Sequence, residues 1–82
     1  MYSYAPKGVC SNTINFEIVD DKITEVVFTG GCPGNLIGIS SLVTGMRVQE
    51  AINRLKGISC GNKSTSCPDQ LALALEELVV NA

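Results

Sequence analysis

Histidine does not occur in these 82 residues, which removes in one stroke the Cys-His nucleophile pair, the imidazole general base and the mixed Cys/His zinc finger. Any ligand set must then come from Cys, Asp, Glu or the backbone. Clustered cations are missing too: six Lys and Arg stand scattered against eight Asp and Glu. Without a basic field to attract phosphates, direct nucleic-acid binding is not expected. The apolar runs fall far short of the roughly 20 residues that span a bilayer, so no membrane partner is expected either. Met1-Tyr2-Ser3-Tyr4 lacks the basic and apolar stretches that open a signal peptide. A cytoplasmic location follows as the expectation, and a reducing cytoplasm disfavours structural disulfides. Internal repeats, linkers and low-complexity stretches are absent.

What is present suits one small domain, residues 1–82, with 45% apolar residues and four cysteines. A core of this size contributes only a few kcal/mol by itself, so a metal, a disulfide or oligomerisation commonly assists. Tyr2 and Tyr4 share a face of an extended start that reaches Pro6, and Pro6-Lys7-Gly8 forces a turn that delivers Cys10. From Thr13 to Val19 the chain alternates, Ile14, Phe16 and Ile18 against Asn15 and Glu17, which predicts a half-buried strand. Asp20-Asp21-Lys22 supplies the turn. Ile23 to Thr29 forms the returning strand, and because Ile23 is out of phase with Val26 and Phe28, a bulge is expected near Thr24-Glu25.

Three helices are expected to follow. After Cys32-Pro33, the residues Leu36, Ile37, Ile39, Leu42 and Val43 cover most of a helix circumference, which predicts a central, buried helix ended by Gly45. Val48, Ala51, Ile52 and Leu55 recur at amphipathic spacing, closed by Gly57, and predict a surface helix. The last runs from about Pro68 to Val80, with Leu71, Leu75, Leu78 and Val79 toward the core and Asp69 near its positive end. Strands before helices predict an α+β fold: a small antiparallel sheet of two or three N-terminal strands, then three helices packed on one face.

The four cysteines carry the candidate chemistry. Their spacing, Cys-x21-Cys-x27-Cys-x6-Cys, has neither the paired C-x2-4-C knuckles of zinc ribbons nor a redox C-x-x-C. None lies in an apolar stripe, as a merely buried cysteine would. Each ends an element. Cys10 precedes the hairpin and Cys32 follows it, so the two return to the same edge, while Cys60 and Cys67 flank a loop. Cys67-Pro68 is expected to place Cys67 at a helix N-cap, and Cys32-Pro33 repeats the construction; the partial positive charge of a helix start favours thiolate or bound metal. Cys10, Cys32, Cys60 and Cys67 are therefore the expected metal ligands, for Zn²⁺ or an iron–sulfur cluster, between which residue type does not decide. A redox thiol module with Cys67 as the attacking thiolate is the alternative. Gly30-Gly31 is expected to allow close backbone approach to a metal-bound thiolate, and Glu76-Glu77 and Asp20-Asp21 to be solvated.

Thr65-Ser66-Cys67-Pro68-Asp69, together with Gly31-Cys32-Pro33-Gly34-Asn35, Leu55-Lys56-Gly57-Ile58 and Cys60-Gly61, resembles the TSCPD domain family over essentially the whole chain. Members of that family stand alone or extend adenosylcobalamin-dependent ribonucleotide reductases at the C-terminus. The resemblance thus implies a link to deoxyribonucleotide synthesis, with a ribonucleotide reductase subunit or a second copy of the chain as partner. A chain this short cannot form the radical-bearing catalytic barrel, so alone it is not expected to reduce ribonucleotides. Cys10-Ser11-Asn12, Phe28-Thr29-Gly30-Gly31-Cys32 and Cys67 before a Leu/Ala-rich helix also resemble scaffold-type iron–sulfur assembly proteins. Here Asn12 stands where the scaffolds carry aspartate and Ser66 where they carry histidine, and the proline-rich chaperone-recognition segment before Cys67 is missing. Cys60 adds a fourth thiol, which suits a closed structural site, so zinc is expected ahead of an iron–sulfur cluster.

Overall fold

A Val19–Lys22 pair closed by two aspartates sets the geometry of the sheet. Asp20 and Asp21 have φ of 51° and 66°, the two left-handed residues that a tight hairpin turn needs to match the right-handed twist of its strands. The computed structural model describes residues 1–31, 33–59 and 61–82. In it β1 (Tyr2–Tyr4), β2 (Ser11–Val19) and β3 (Lys22–Gly30) form an antiparallel sheet in the order β1-β2-β3. Helices α1 (Pro33–Val43), α2 (Val48–Leu55) and α3 (Cys67–Leu75) follow, and α3 continues through a π-helical turn, Glu76–Val80. The predicted α+β architecture is therefore the one observed.

The alternation read from the sequence becomes the core. Ile14 and Phe16 of β2 and Ile23 and Val26 of β3 turn toward the helices and are buried, while Glu17, Glu25 and Val27 face outward. Tyr2, opposite Phe16, stacks on its ring with centroids 5.1 Å apart. The expected bulge is present: Glu17 pairs with Glu25 and Ile18 with Ile23, leaving Thr24 as the extra residue. Its hydroxyl donates back to the Glu17 carbonyl at 3.2 Å.

Two expectations about the helices are corrected. The first is that α1 is central and buried. Only Leu36 and Val43 are buried in it, whereas Ile37 and Leu42 are 68% and 74% exposed. The physical reason is its path. α1 starts beyond the end of β3 and runs back along it, and the chain leaving α1 hydrogen-bonds the other end of that strand, Ile23 N–H to the Met46 carbonyl and Gly45 N–H to the Ile23 carbonyl. One stripe, Leu36-Ile39-Val43, is all that meets the core. The central helix is α3, in which Asp69, Gln70, Leu71, Ala72, Ala74 and Leu75 are all buried. Its alanines leave room for α2, whose Val48, Ala51 and Ile52 close the core from the far side.

The second correction concerns the cap of α3. Cys67 was expected at the N-cap, but that position belongs to Ser66, whose hydroxyl accepts from Asp69 N–H at 3.2 Å. A serine hydroxyl reaches the third amide of a helix in a way a thiol does not, and Ser66-x-x-Asp69 is the capping pattern. Cys67 becomes the first helical residue and Pro68 the second. Asp20, Asp21 and Glu77 are exposed as expected, Asp21 facing Arg47 at 3.8 Å in solvent, whereas Glu76 is half-buried and pairs with Lys56 at 2.9 Å.

Candidate functional site at the start of helix α3

The loop before α3 is held by side chains of the helix itself. The Asp69 carboxylate accepts from Gly57 N–H at 2.7 Å through one oxygen and from the Thr65 hydroxyl at 2.5 Å through the other. The Ser66 hydroxyl, capping on one side, donates to the Ile58 carbonyl at 2.6 Å. Thr65 Oγ1 also accepts from Gln70 Nε2 at 2.9 Å. Ser66, Asp69 and Gln70 are all buried, and no buried side-chain nitrogen or oxygen among the described residues lacks a partner. A satisfied network of this kind fixes one geometry, because breaking any link strands a buried polar group.

The same network reaches the N-terminal segment. Gln70 Oε1 accepts from Lys7 N–H at 3.0 Å, and Gly8, at φ +73°, sits where a Cβ would lie 3.3 Å from the Thr65 methyl. On the other side of Cys10, the buried Ser11 places its hydroxyl oxygen 3.3 Å from Cys67 Sγ, and either group can donate. The short segment carrying Cys10 is thus anchored on the start of α3 both before and after that cysteine.

Of the four predicted ligands, Cys10 is an exposed free thiol in the bend before β2, and Cys67 is a half-buried free thiol at the first position of α3. Cys32 and Cys60 lie outside the described residues, and with them the expected closeness of Cys10 and Cys32. Among the described residues, which include two of the four thiols, no three acidic or thiol groups are gathered as a metal site. The approach of the glycine pair to a Cys32 thiolate lies outside the described residues; what the structure does show is a tight fit of Gly31 elsewhere. A Cβ on Gly31 would fall 2.9 Å from Leu36 Cδ1 and 3.3 Å from Ser11 N. Close approach here is between α1 and the start of β2, and no thiolate among the described residues is involved. Sequence reasoning missed Gln70, Ser11 and the cap role of Ser66; only the Ser-x-x-Asp spacing could have indicated the last.

The donors at this end of the domain are sulfur atoms. Two sulfur donors stand at one end of the domain, one beside a hydroxyl and at a helix start, with no histidine in the chain to contribute nitrogen. Thiolates of this type suit Zn²⁺ and iron–sulfur centres, so the donors present fit both groups.

The family model for the TSCPD domain matches residues 2–79, nearly the whole chain. No curated protein and no solved structure matches it. No helix among the described residues is long and apolar enough to cross a membrane.

Proposed function

This chain belongs to the TSCPD domain family, and from that premise we propose that it is a small metal-binding accessory module with Cys10, Cys32, Cys60 and Cys67 as ligands. The observation that carries the reading is the double anchoring of the Cys10 segment, through Lys7 and Ser11, on the helix start that bears Cys67. A second support is that Asp69 and Ser66 grip Gly57 and Ile58, the residues that lead toward Cys60. Three chain segments bearing or adjoining cysteines are drawn to one helix terminus by a network that costs several buried polar groups. Such expense is characteristic of a site that must be held in one geometry.

Zinc is the preferred metal, because four thiolates and no histidine make a closed tetrahedral set; an iron–sulfur cluster is the runner-up. The physiological partner in this reading is a ribonucleotide reductase subunit, the enzyme class in which this domain also occurs, with a second copy of the chain as the other candidate. Elemental analysis and absorption spectra of protein purified without oxygen test the metal. Near-stoichiometric zinc without a visible band is the expected result, iron with sulfide and broad visible absorption moves the assignment to a cluster, and protein free of both metals overturns it.

A further inference from the structure

Resting on the reading of Cys67 as a ligand, we infer that Ser11 is a positioning residue for the Cys67 sulfur, turned toward it by a second β-bulge. β2 and β3 pair Ser11 with Gly30 and Thr13 with Thr29, which leaves Asn12 as an extra residue on β2. The consequence is a change of parity. Counting back by twos from the buried Phe16 and Ile14 puts Asn12 inward and Ser11 outward. The one-residue insertion reverses this, so Asn12 is exposed while Ser11 is only 3% exposed. Re-aiming one side chain is what a bulge does at the rim of a sheet.

Gly30 permits the bulge. Its φ is +83°, and a Cβ there would lie 3.1 Å from Asn12 Nδ2 and 3.3 Å from Asn12 N. The hydroxyl that is turned in has the Cys67 sulfur as its side-chain hydrogen-bond partner among the described residues. A buried hydroxyl next to a sulfur ligand donates its proton to the sulfur's remaining lone pairs, which orients the ligand and tunes its donor strength without contacting the metal. The tool for this is built from three residues, Ser11, Asn12 and Gly30, none of which is itself a ligand.

The test uses the full chain as wild type, Ser11→Ala and Ser11→Thr. Each is titrated with Co²⁺ followed by its thiolate-to-metal absorption, then with Zn²⁺ in competition. In the metal-free proteins, Hα–Hβ couplings report the Cys67 rotamer. Expected are a Zn²⁺ affinity lowered about 10-fold in Ser11→Ala, within the range for lost outer-shell partners, a displaced Co²⁺ charge-transfer band, and recovery of both in Ser11→Thr. The metal-free Cys67 couplings are expected to show one rotamer in wild type and averaging in Ser11→Ala. Wild type and Ser11→Ala that bind alike, with the same band, overturn the role of Ser11 and leave the metal reading standing. If wild type binds neither metal, the metal reading falls, and the couplings alone decide: averaging upholds Ser11 as the positioning group, and unchanged couplings overturn it.

Discussion

Two helices of this chain have a proline in their first turn, Pro33 in α1 and Pro68 in α3, and they end in opposite circumstances. α1 has apolar residues around most of its circumference, yet it buries only Leu36 and Val43 and leaves Ile37 and Leu42 to solvent. α3 carries Asp69 and Gln70 in its first turns, yet buries both along with four apolar residues. Hydrophobicity around a helix therefore does not decide which helix is central. The path of the chain places α1 along β3, and α3 can be buried with its polar residues because they have partners. α3 has Gly57, Thr65 and Lys7 arranged for that purpose. Thr65, Ser66 and Asp69 of the motif are structural: they cap α3 and hold the loop before it.

The widest separation between the two helices should be seen in core truncations. Leu71→Ala in α3 should lower unfolding free energy by about 2–5 kcal/mol, the range for emptying a fully packed leucine site. Leu42→Ala in α1 should change it by less than about 0.5 kcal/mol, as for an exposed position. Urea midpoints compare the two directly, and similar losses would abolish the distinction.

Next in size is the polar network. Asp69→Ala leaves Gly57 N–H and the Thr65 hydroxyl without their acceptor, a loss of about 1–3 kcal/mol. Ser66→Ala removes the cap and should lose about 1 kcal/mol. Hydrogen exchange at Gly57 should accelerate in Asp69→Ala, since its amide loses its partner; an unchanged rate would show that the carboxylate does not hold that loop.

The smallest effect concerns the far end of α3. Burial, and secondarily the charge of Glu77, raises the Tyr4 hydroxyl above its ordinary value of 10.0. A folded value above the unfolded one means that the stability involved is complete below about pH 10 and is lost as pH rises through the raised folded value. Unfolding of Tyr4→Phe followed upward from about pH 9 should lack that decline. A decline identical to wild type would assign it to other groups.

The sheet was largely legible in the sequence because period-two alternation and a two-aspartate turn are local signals; even the Thr24 bulge declared itself through the phase of Ile23. The Asn12 bulge did not, since within β2 no apolar residue precedes it to reveal a change of phase. The place of α1 was illegible for a related reason: exposure depends on which neighbour is absent, and Ile37 looks the same in either surrounding. At the site, the cysteines could be singled out by their positions at element ends. Ser11 and Gln70 could not, because their partners lie 56 and 63 residues away. Ser66 could have been read as the cap from its spacing to Asp69, but the proline after Cys67 drew the helix start one residue too far.

X-ray absorption fine structure at the edge of whichever metal the anaerobically purified chain carries tests the thiolate site most directly. A first shell made of sulfur alone is expected, four scatterers at about 2.3 Å if the metal is zinc. A shell containing oxygen or nitrogen neighbours would contradict it, since four thiolates would then not fill the coordination sphere.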